Sequence, residues 1–385
     1  MHATLYDFSP LFRMLVTGVL LASGPLLWVA LRNRRATPLG RLQALVLVTL
    51  FLTFDLVMFG AFTRLTDSGL GCPDWPGCYG SATPIGAGSE IAAAQSAMPT
   101  GPVTHSKAWV EMVHRYLAMG VGVLITVVAF MAWRNRGTQQ RPAGLRLWWP
   151  ALTLVWVCVQ GAFGALTVTM KLFPAIVSLH LLGGYVLLAL LTVQAVYLGR
   201  VQNSDPRPRV LSSVKVWMAL ALALLMLQAA SGAWVSTNYA VLACADFPQC
   251  QGGWWPHMDF SHGFEIWRPL GVTQDGAQIS FQALTAIHFA HRMLAVVTVL
   301  TLGALAAYLW GFSSLLRPSR ALAALLALQV VTGVSNVVFD WPLLAAVLHT
   351  GGAGAMVSLL AWLLVTTQAE TRAERAQAHS RRFNE

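Results

Sequence analysis

Long apolar stretches alternate with short polar connections along almost the whole chain. Nine stretches can form helices crossing the roughly 30 Å of a bilayer's hydrocarbon, which takes about 20 residues. They run approximately Leu11–Leu31, Leu42–Phe62, Ala108–Trp133, Leu147–Val168, Ala175–Gly199, Val214–Val235, Ala283–Trp310, Ala321–Val338 and Leu343–Val365. The pattern predicts an all-α integral membrane protein. Composition agrees: 56% hydrophobic and 10% charged residues lie outside the range of soluble domains. In the first stretch the basic cluster follows the apolar run, the reverse of a cleaved signal peptide, so it reads as a retained helix.

The net charge of +10 raises the question of nucleic acid, and the location of the charge answers it. Arg32, Arg34, Arg35 and Arg41 fill one connection, Arg134, Arg136, Arg141 and Arg146 a second, and Arg200, Arg207, Arg209 and Lys215 a third. Arg317 and Arg320 lie in a fourth, and Arg372, Arg375, Arg381 and Arg382 near the end. With nine spans all five clusters share one side, which the positive-inside rule makes cytoplasmic. The N-terminus is then outside and the C-terminus inside. The basic excess is a topology signal, and nucleic acid is not an expected partner. No Arg- and Ser-rich transit peptide is recognisable, which favours a bacterial plasma (inner) membrane over a mitochondrion.

The two long loops on the opposite side repeat each other. "GAFTRLTDSGLGCPDWPGC" (Gly60 to Cys78) lies over "GAWVSTNYAVLACADFPQC" (Gly232 to Cys250) at a constant offset. Both cysteines, an acid (Asp74, Asp246), an aromatic (Trp75, Phe247) and a proline (Pro76, Pro248) coincide. Downstream, "EMVHRYLA" meets "HFAHRMLA", "QGAFGALTV" meets "QVVTGVSNV", and "HLLGG" meets "HTGGA". The chain therefore divides into two pseudo-symmetric four-helix bundles plus an extra N-terminal helix. Residues 1–41 hold that helix and a basic cytoplasmic loop. Residues 42–200 form the first half with outer loop 63–107, 201–213 a cytoplasmic linker, 214–366 the second half with outer loop 236–282, and 367–385 a basic tail. Four helices separate equivalent points, so the repeats run parallel about an axis along the membrane normal.

Of ten histidines, His114, His180, His288, His291 and His349 fall within predicted helices. His114, His180, His291 and His349 each sit about one to two turns in from the outer end, roughly 8–12 Å at 1.5 Å per residue. A lone membrane histidine is commonly a packing residue or part of a proton path. Two per repeat at one depth instead suit a pair of bis-histidine haem positions, His114 with His180 and His291 with His349. Zinc would call for three or four converging ligands. Gly183-Gly184 and Gly351-Gly352 would give a macrocycle room, or serve close helix packing. Arg115 and Arg292 each follow a histidine and would face haem propionates or snorkel to the surface. Glu111 shares a helix face with His114, and its repeat counterpart is His288. A partly buried carboxylate there can take a proton, so the first site reads as reactive and the second as an electron-transfer haem. Asp55 has no acidic counterpart, and Cys158 reads as core.

These motifs, "CPDWPGC" and "CADFPQC", "EMVHR" and "HFAHR", "SLHLLGG" and "VLHTGG", resemble the haem A synthase family from Leu42 onward. The resemblance implies a membrane oxidoreductase that converts a ring methyl of haem O to a formyl group, giving haem A for terminal oxidases. It implies substrate haem at His114 and His180, haem b held through its iron by His291 and His349, and a functional Glu111 that accepts a proton as the methyl is oxidised. Implied partners are haem O, haem O synthase, oxidase assembly factors and membrane lipids; a homo-oligomer stays open. The chain departs from the simple eight-helix bacterial form by its first helix. Disulfides Cys72–Cys78 and Cys244–Cys250 would form on the oxidising side. They would act as structural lids over the haem edges, or the first pair would exchange during catalysis. Two rivals remain: a non-enzymatic dihaem b-type electron carrier, which would place its ligand pairs at two depths, and a repeat-built transporter, which leaves the cysteine loops without a role.

Overall fold

A computed structural model describes residues 9–135, 148–202 and 207–370. Leu147, Arg136, Arg141, Arg146, Arg372, Arg375, Arg381 and Arg382, with most of the proposed tail and part of the linker, lie outside the described residues. The long helices are α1 (Ser9–Arg32), α2 (Pro38–Leu65), α4 (His105–Arg134), α5 (Trp148–Thr169), α6 (Pro174–Gln202), α7 (Ser212–Thr237), α9 (Phe281–Trp310), α10 (Leu316–Val338) and α11 (Leu343–Thr366). Among the described residues these are the nine helices long and apolar enough to cross a membrane. The protein is a multi-pass, all-α membrane protein.

Several helices begin before their apolar runs. Thr104 caps α4 by accepting from the Lys107 N–H, and Ser280 caps α9 by accepting from the Ala283 N–H. A side-chain oxygen at this position satisfies one of the N–H groups a helix start leaves unpaired. The polar first turns therefore stay helical, and His114 and His291 sit deeper than the apolar boundaries suggested, about 14–15 Å along their helices at 1.5 Å per residue. The loops add two helices that hydropathy does not show, α3 (Gly88–Ala97) and the short α8 (Phe260–Gly263). His105 opens α4 and His262 lies in α8, so two further histidines are helical.

Within the first half α2, α4, α5 and α6 pack in a ring, each against its two neighbours, and α7, α9, α10 and α11 do the same in the second. The extra helix α1 lies against α4 and α2. A Cβ on Gly18 would come within 2.8 Å of Met119 Cβ, so the glycine lets the two backbones approach. Two short strands, β1 (Arg209–Val210) and β2 (Gln368–Ala369), pair in parallel and tie the inter-half connection to the end of α11.

The halves meet mainly through α6 and α11, with α2 and α7 flanking. Residues equivalent in the repeat touch each other across this seam. Arg64 donates to the Ser236 carbonyl at 2.6 Å, and the Tyr239 hydroxyl donates to Asp67 at 2.7 Å, both pairs separated by the repeat offset of 172 residues. Deeper in, Tyr185 is fully buried and donates to the Thr350 carbonyl at 2.8 Å, while its ring fills the space beside Gly354, its own repeat counterpart. A ring on one helix thus fits a glycine on the other. Tyr185→Phe is expected to lose about 1 kcal/mol, the net worth of one hydrogen bond. Gly354→Val would lose about 1–3 kcal/mol by overpacking. Thermal unfolding in detergent, where Gly354→Val should melt lower, checks both.

Candidate functional site

The four histidines predicted from sequence form two pairs. His114 on α4 and His180 on α6 belong to the first ring of helices, and His291 on α9 and His349 on α11 to the second. Among the described residues no group of three or more His, Cys, Asp or Glu side chains forms a metal cluster, so each half offers two imidazoles. Each ring is partly accessible although protein encloses it on most sides. The buried Nδ1 atoms of His114 and His180 have no hydrogen-bond partner. Two partly accessible imidazoles in each half fit the kind of histidine pair that could hold a haem iron.

Each imidazole rests on a glycine of the neighbouring helix. A Cβ on Gly60 would meet His114 Cε1 at 3.0 Å, and one on Gly232 would meet His291 Cε1 at 2.9 Å. Gly333 stands in the same relation to His349 at 3.2 Å and Gly164 to His180 at 3.5 Å. These four glycines coincide in the aligned repeats, where they look like ordinary small residues of a membrane helix. The glycine pairs singled out from sequence behave otherwise. A Cβ on Gly183 would strike the Gln160 amide at 1.9 Å, and one on Gly352 the Gln329 amide at 2.2 Å. Gly184 faces Val57 and Gly351 faces Met58, so this room is taken by protein side chains and the glycines serve helix packing.

Above the histidines the cysteine loops form two matching clips. Cys72 is bonded to Cys78 and Cys244 to Cys250. Asp74 accepts from the backbone N–H of Tyr79 at 2.6 Å and Gly80 at 2.7 Å; Asp246 does the same for Gln251 at 2.7 Å and Gly252 at 2.8 Å. Tyr79, Gly80, Gln251 and Gly252 all have positive φ, so the aligned acids hold a left-handed turn that residues with a Cβ adopt reluctantly. Both X-Pro bonds, Trp75-Pro76 and Phe247-Pro248, are cis.

The arginines staple these clips to the histidine helices. Arg115 donates to the carbonyls of Asp74 at 3.0 Å, Pro76 at 3.3 Å and Gly77 at 2.5 Å. Arg292 donates to Gln249 at 2.8 Å and Cys244 at 2.7 Å. Loop carbonyls occupy much of each guanidinium, so a contact to haem propionates would compete with these bonds. In the first half the staple includes a carboxylate: Glu111, 3% exposed, pairs with Arg115 and accepts from the Cys72 N–H at 2.8 Å. In the second half His288 accepts from Arg292 Nε at 3.3 Å. Asp55 lies on the exposed face of α2, and Cys158, expected in the core, is exposed on α5.

The partners of the histidines differ between the halves. In the second, His291 Nδ1 lies 2.8 Å from the Ser231 hydroxyl, and His349 Nδ1 lies 2.9 Å from the Thr332 hydroxyl. The Gln228 amide nitrogen also approaches, 3.1 Å from His291 Nδ1 and 3.3 Å from the His291 carbonyl. In the first, the Phe59 ring stacks over His114 with centroids 6.3 Å apart. Sequence reasoning passed over Ser231, Thr332 and Phe59, because single hydroxyl or aromatic residues in a membrane helix carry no pattern. The aligned repeats held the signal: Ser231 lies over Phe59, and Thr332 over Phe163.

Fold and site together define a polytopic membrane protein with two repeat-related histidine pairs, each roofed by a disulfide clip. Residues 43–364 match the COX15-CtaA model, described as cytochrome oxidase assembly protein, and the chain belongs to that family. It is 38% identical to the heme A synthase of Shewanella oneidensis over 325 residues, covering 83% of this chain and 94% of that protein. The heme A synthases of Erythrobacter litoralis (29% identical, 81% of this chain and 92% of that one) and Halalkalibacterium halodurans (26%, 76% and 86%) are also similar.

Two outcomes follow from this geometry. Gly232→Leu would push the His291 ring off its seat and should lower the thermal midpoint in detergent, whereas Gly122→Leu, with open space at its Cβ, should not. Backbone N–H groups, Gly252 first, hold the Asp246 carboxyl below its ordinary value of 3.8. The second clip therefore keeps this contribution above that pH and loses it as pH falls through the lower, folded value. Limited proteolysis of the loop should be faster in Asp246→Asn at neutral pH and should converge with the wild type in strong acid.

Proposed function

We propose that the protein is a haem A synthase, oxidising a ring methyl of haem O to a formyl group within a bacterial plasma membrane, N-terminus outside and C-terminus cytoplasmic. One observation carries the reading beyond the similarity to proteins of that name. A buried carboxylate, Glu111, stands one turn from a histidine of the first pair, and the second pair has His288 in its place. Substrate haem O is assigned to His114 and His180, and a resident haem b to His291 and His349.

Bound haem supplies iron whose change of valence carries electrons. The protein's contribution is positional. His114 and His180 hold the substrate ring between α4 and α6, and the clip of residues 72–78 covers the site against bulk water. Glu111 has one oxygen on the Cys72 N–H and the other on Arg115. It is fixed in place and can take a proton released as the methyl is oxidised; Arg115 pairs with the carboxylate before that step, and the loop carbonyls of residues 74–77 solvate the guanidinium once Glu111 is neutral. The cytoplasmic basic clusters, the haem O supplied by a synthase in the same membrane and delivery to oxidase assembly factors belong to the same reading.

The test is the haem content of protein purified from cells that also make haem O. Haem B together with haem A or O is expected in the wild type. Glu111→Gln should retain haem B while haem A formation falls by about 10²–10⁴-fold, the usual weight of a positioned acid–base group. Haem B alone at two per chain would instead mark an electron carrier, and no haem at all would favour a transporter.

A further inference from the structure

We propose that Ser231 and Thr332 are positioning residues that fix the tautomer and orientation of His291 and His349. Phenylalanines at the equivalent positions, Phe59 and Phe163, leave His114 and His180 free to exchange what they hold. This rests on the haem reading above.

The direction of each hydrogen bond is determined by where the hydroxyl proton goes. Ser231 Oγ donates to the Gln228 carbonyl at 2.8 Å, and Thr332 Oγ1 donates to the Leu328 carbonyl at 2.7 Å. A hydroxyl has one proton and two lone pairs. With that proton committed to its own helix, each oxygen faces the imidazole only as an acceptor. With the Gln228 amide N–H directed to the His291 carbonyl at 3.3 Å, Nδ1 of His291, like Nδ1 of His349, donates to its hydroxyl, which leaves Nε2 unprotonated with its lone pair available for iron. A ligand histidine whose other N–H is bonded in this way is fixed in rotation and is a stronger donor to metal.

The first half lacks this device at both positions. Phe59 packs against the His114 ring with an interplanar angle of 14°, which accepts no hydrogen bond in the ring plane. Nδ1 of His114 and of His180 is buried and unpartnered. The two halves have the same glycine seats and equivalent arginine staples, so beside the imidazole rings themselves the difference is in what lies next to Nδ1. A site that must admit haem O and release its product benefits from ligands that let go. A resident haem benefits from ligands that do not. The repeat built both from one template by exchanging two hydroxyls and two phenyl rings.

The experiment uses the full chain, purified from cells that make haem B and no haem O, carrying His114→Ala and His180→Ala so that only the second pair binds. Three readouts are taken for that background and its variants: haem B content, the rate of haem transfer to an excess of apomyoglobin, and the midpoint potential. Ser231→Ala and Thr332→Val should each release haem about tenfold faster, the lower end of what loss of such a partner does to metal affinity. Their potentials should rise, because a weaker imidazole donor stabilises ferric iron less. Ser231→Thr and Thr332→Ser should restore both. If an alanine or valine variant does not fold, Ser231→Cys and Thr332→Cys carry the same expectation, since a thiol is a weak acceptor. Haem bound with unchanged release rate and potential in the variants overturns the positioning role alone. No haem B in the background protein or in the wild type overturns the haem reading and this one with it.

Discussion

A guanidinium held at the edge of a membrane must find several acceptors, and the two clips exist in the form that provides them. Arg115 is 8% exposed, and three carbonyls of one short loop turn toward it. Carbonyls point inward in this way only when the loop is closed on itself, which the disulfide and the Asp74 side chain accomplish from opposite ends. A buried ion pair is weak evidence for stability, because desolvation offsets its attraction. Its value here is in specifying one arrangement: helix α4, the clip and Glu111 can meet in only one register.

The repeat supplies two copies of this arrangement, and the chemistry lies in their differences. Arginine, disulfide, acid and glycine seat recur in both halves. Glu111 becomes His288, and the aromatic packing against a histidine becomes a hydroxyl. One half then has a carboxylate beside its arginine and imidazoles whose Nδ1 atoms have no partner, the other a histidine beside its arginine and imidazoles that meet a hydroxyl. Divergence at a few side chains suffices because the backbone frame that places the histidine pairs is shared.

The seam between the halves shows the same economy. Where equivalent residues approach one another, identical side chains would collide or leave charges opposed. The chain instead places unlike partners there: Arg64 with Ser236, Asp67 with Tyr239, Tyr185 with Gly354. Each pair is complementary in charge or in volume, so the seam is specific to this pairing of halves.

Much of this was legible in the chain itself. Nine spans, their division into two repeats, the two disulfide clips and the four histidines follow from hydropathy and from an internal alignment, because lipid forces helices and a repeat preserves the spacing of chemical groups. Span ends were less legible, since Thr104 and Ser280 cap polar turns that carry no apolar signal. The glycines beside the second histidines looked like room for a ligand, and only packing showed that Gln160 and Gln329 fill it. The same holds for the arginines, whose acceptors are carbonyls nearly forty residues away or more. The hydroxyl partners of His291 and His349 were also beyond the sequence. They are a serine and a threonine whose helices must first be brought against the imidazoles, and distance in space has no record in the order of residues.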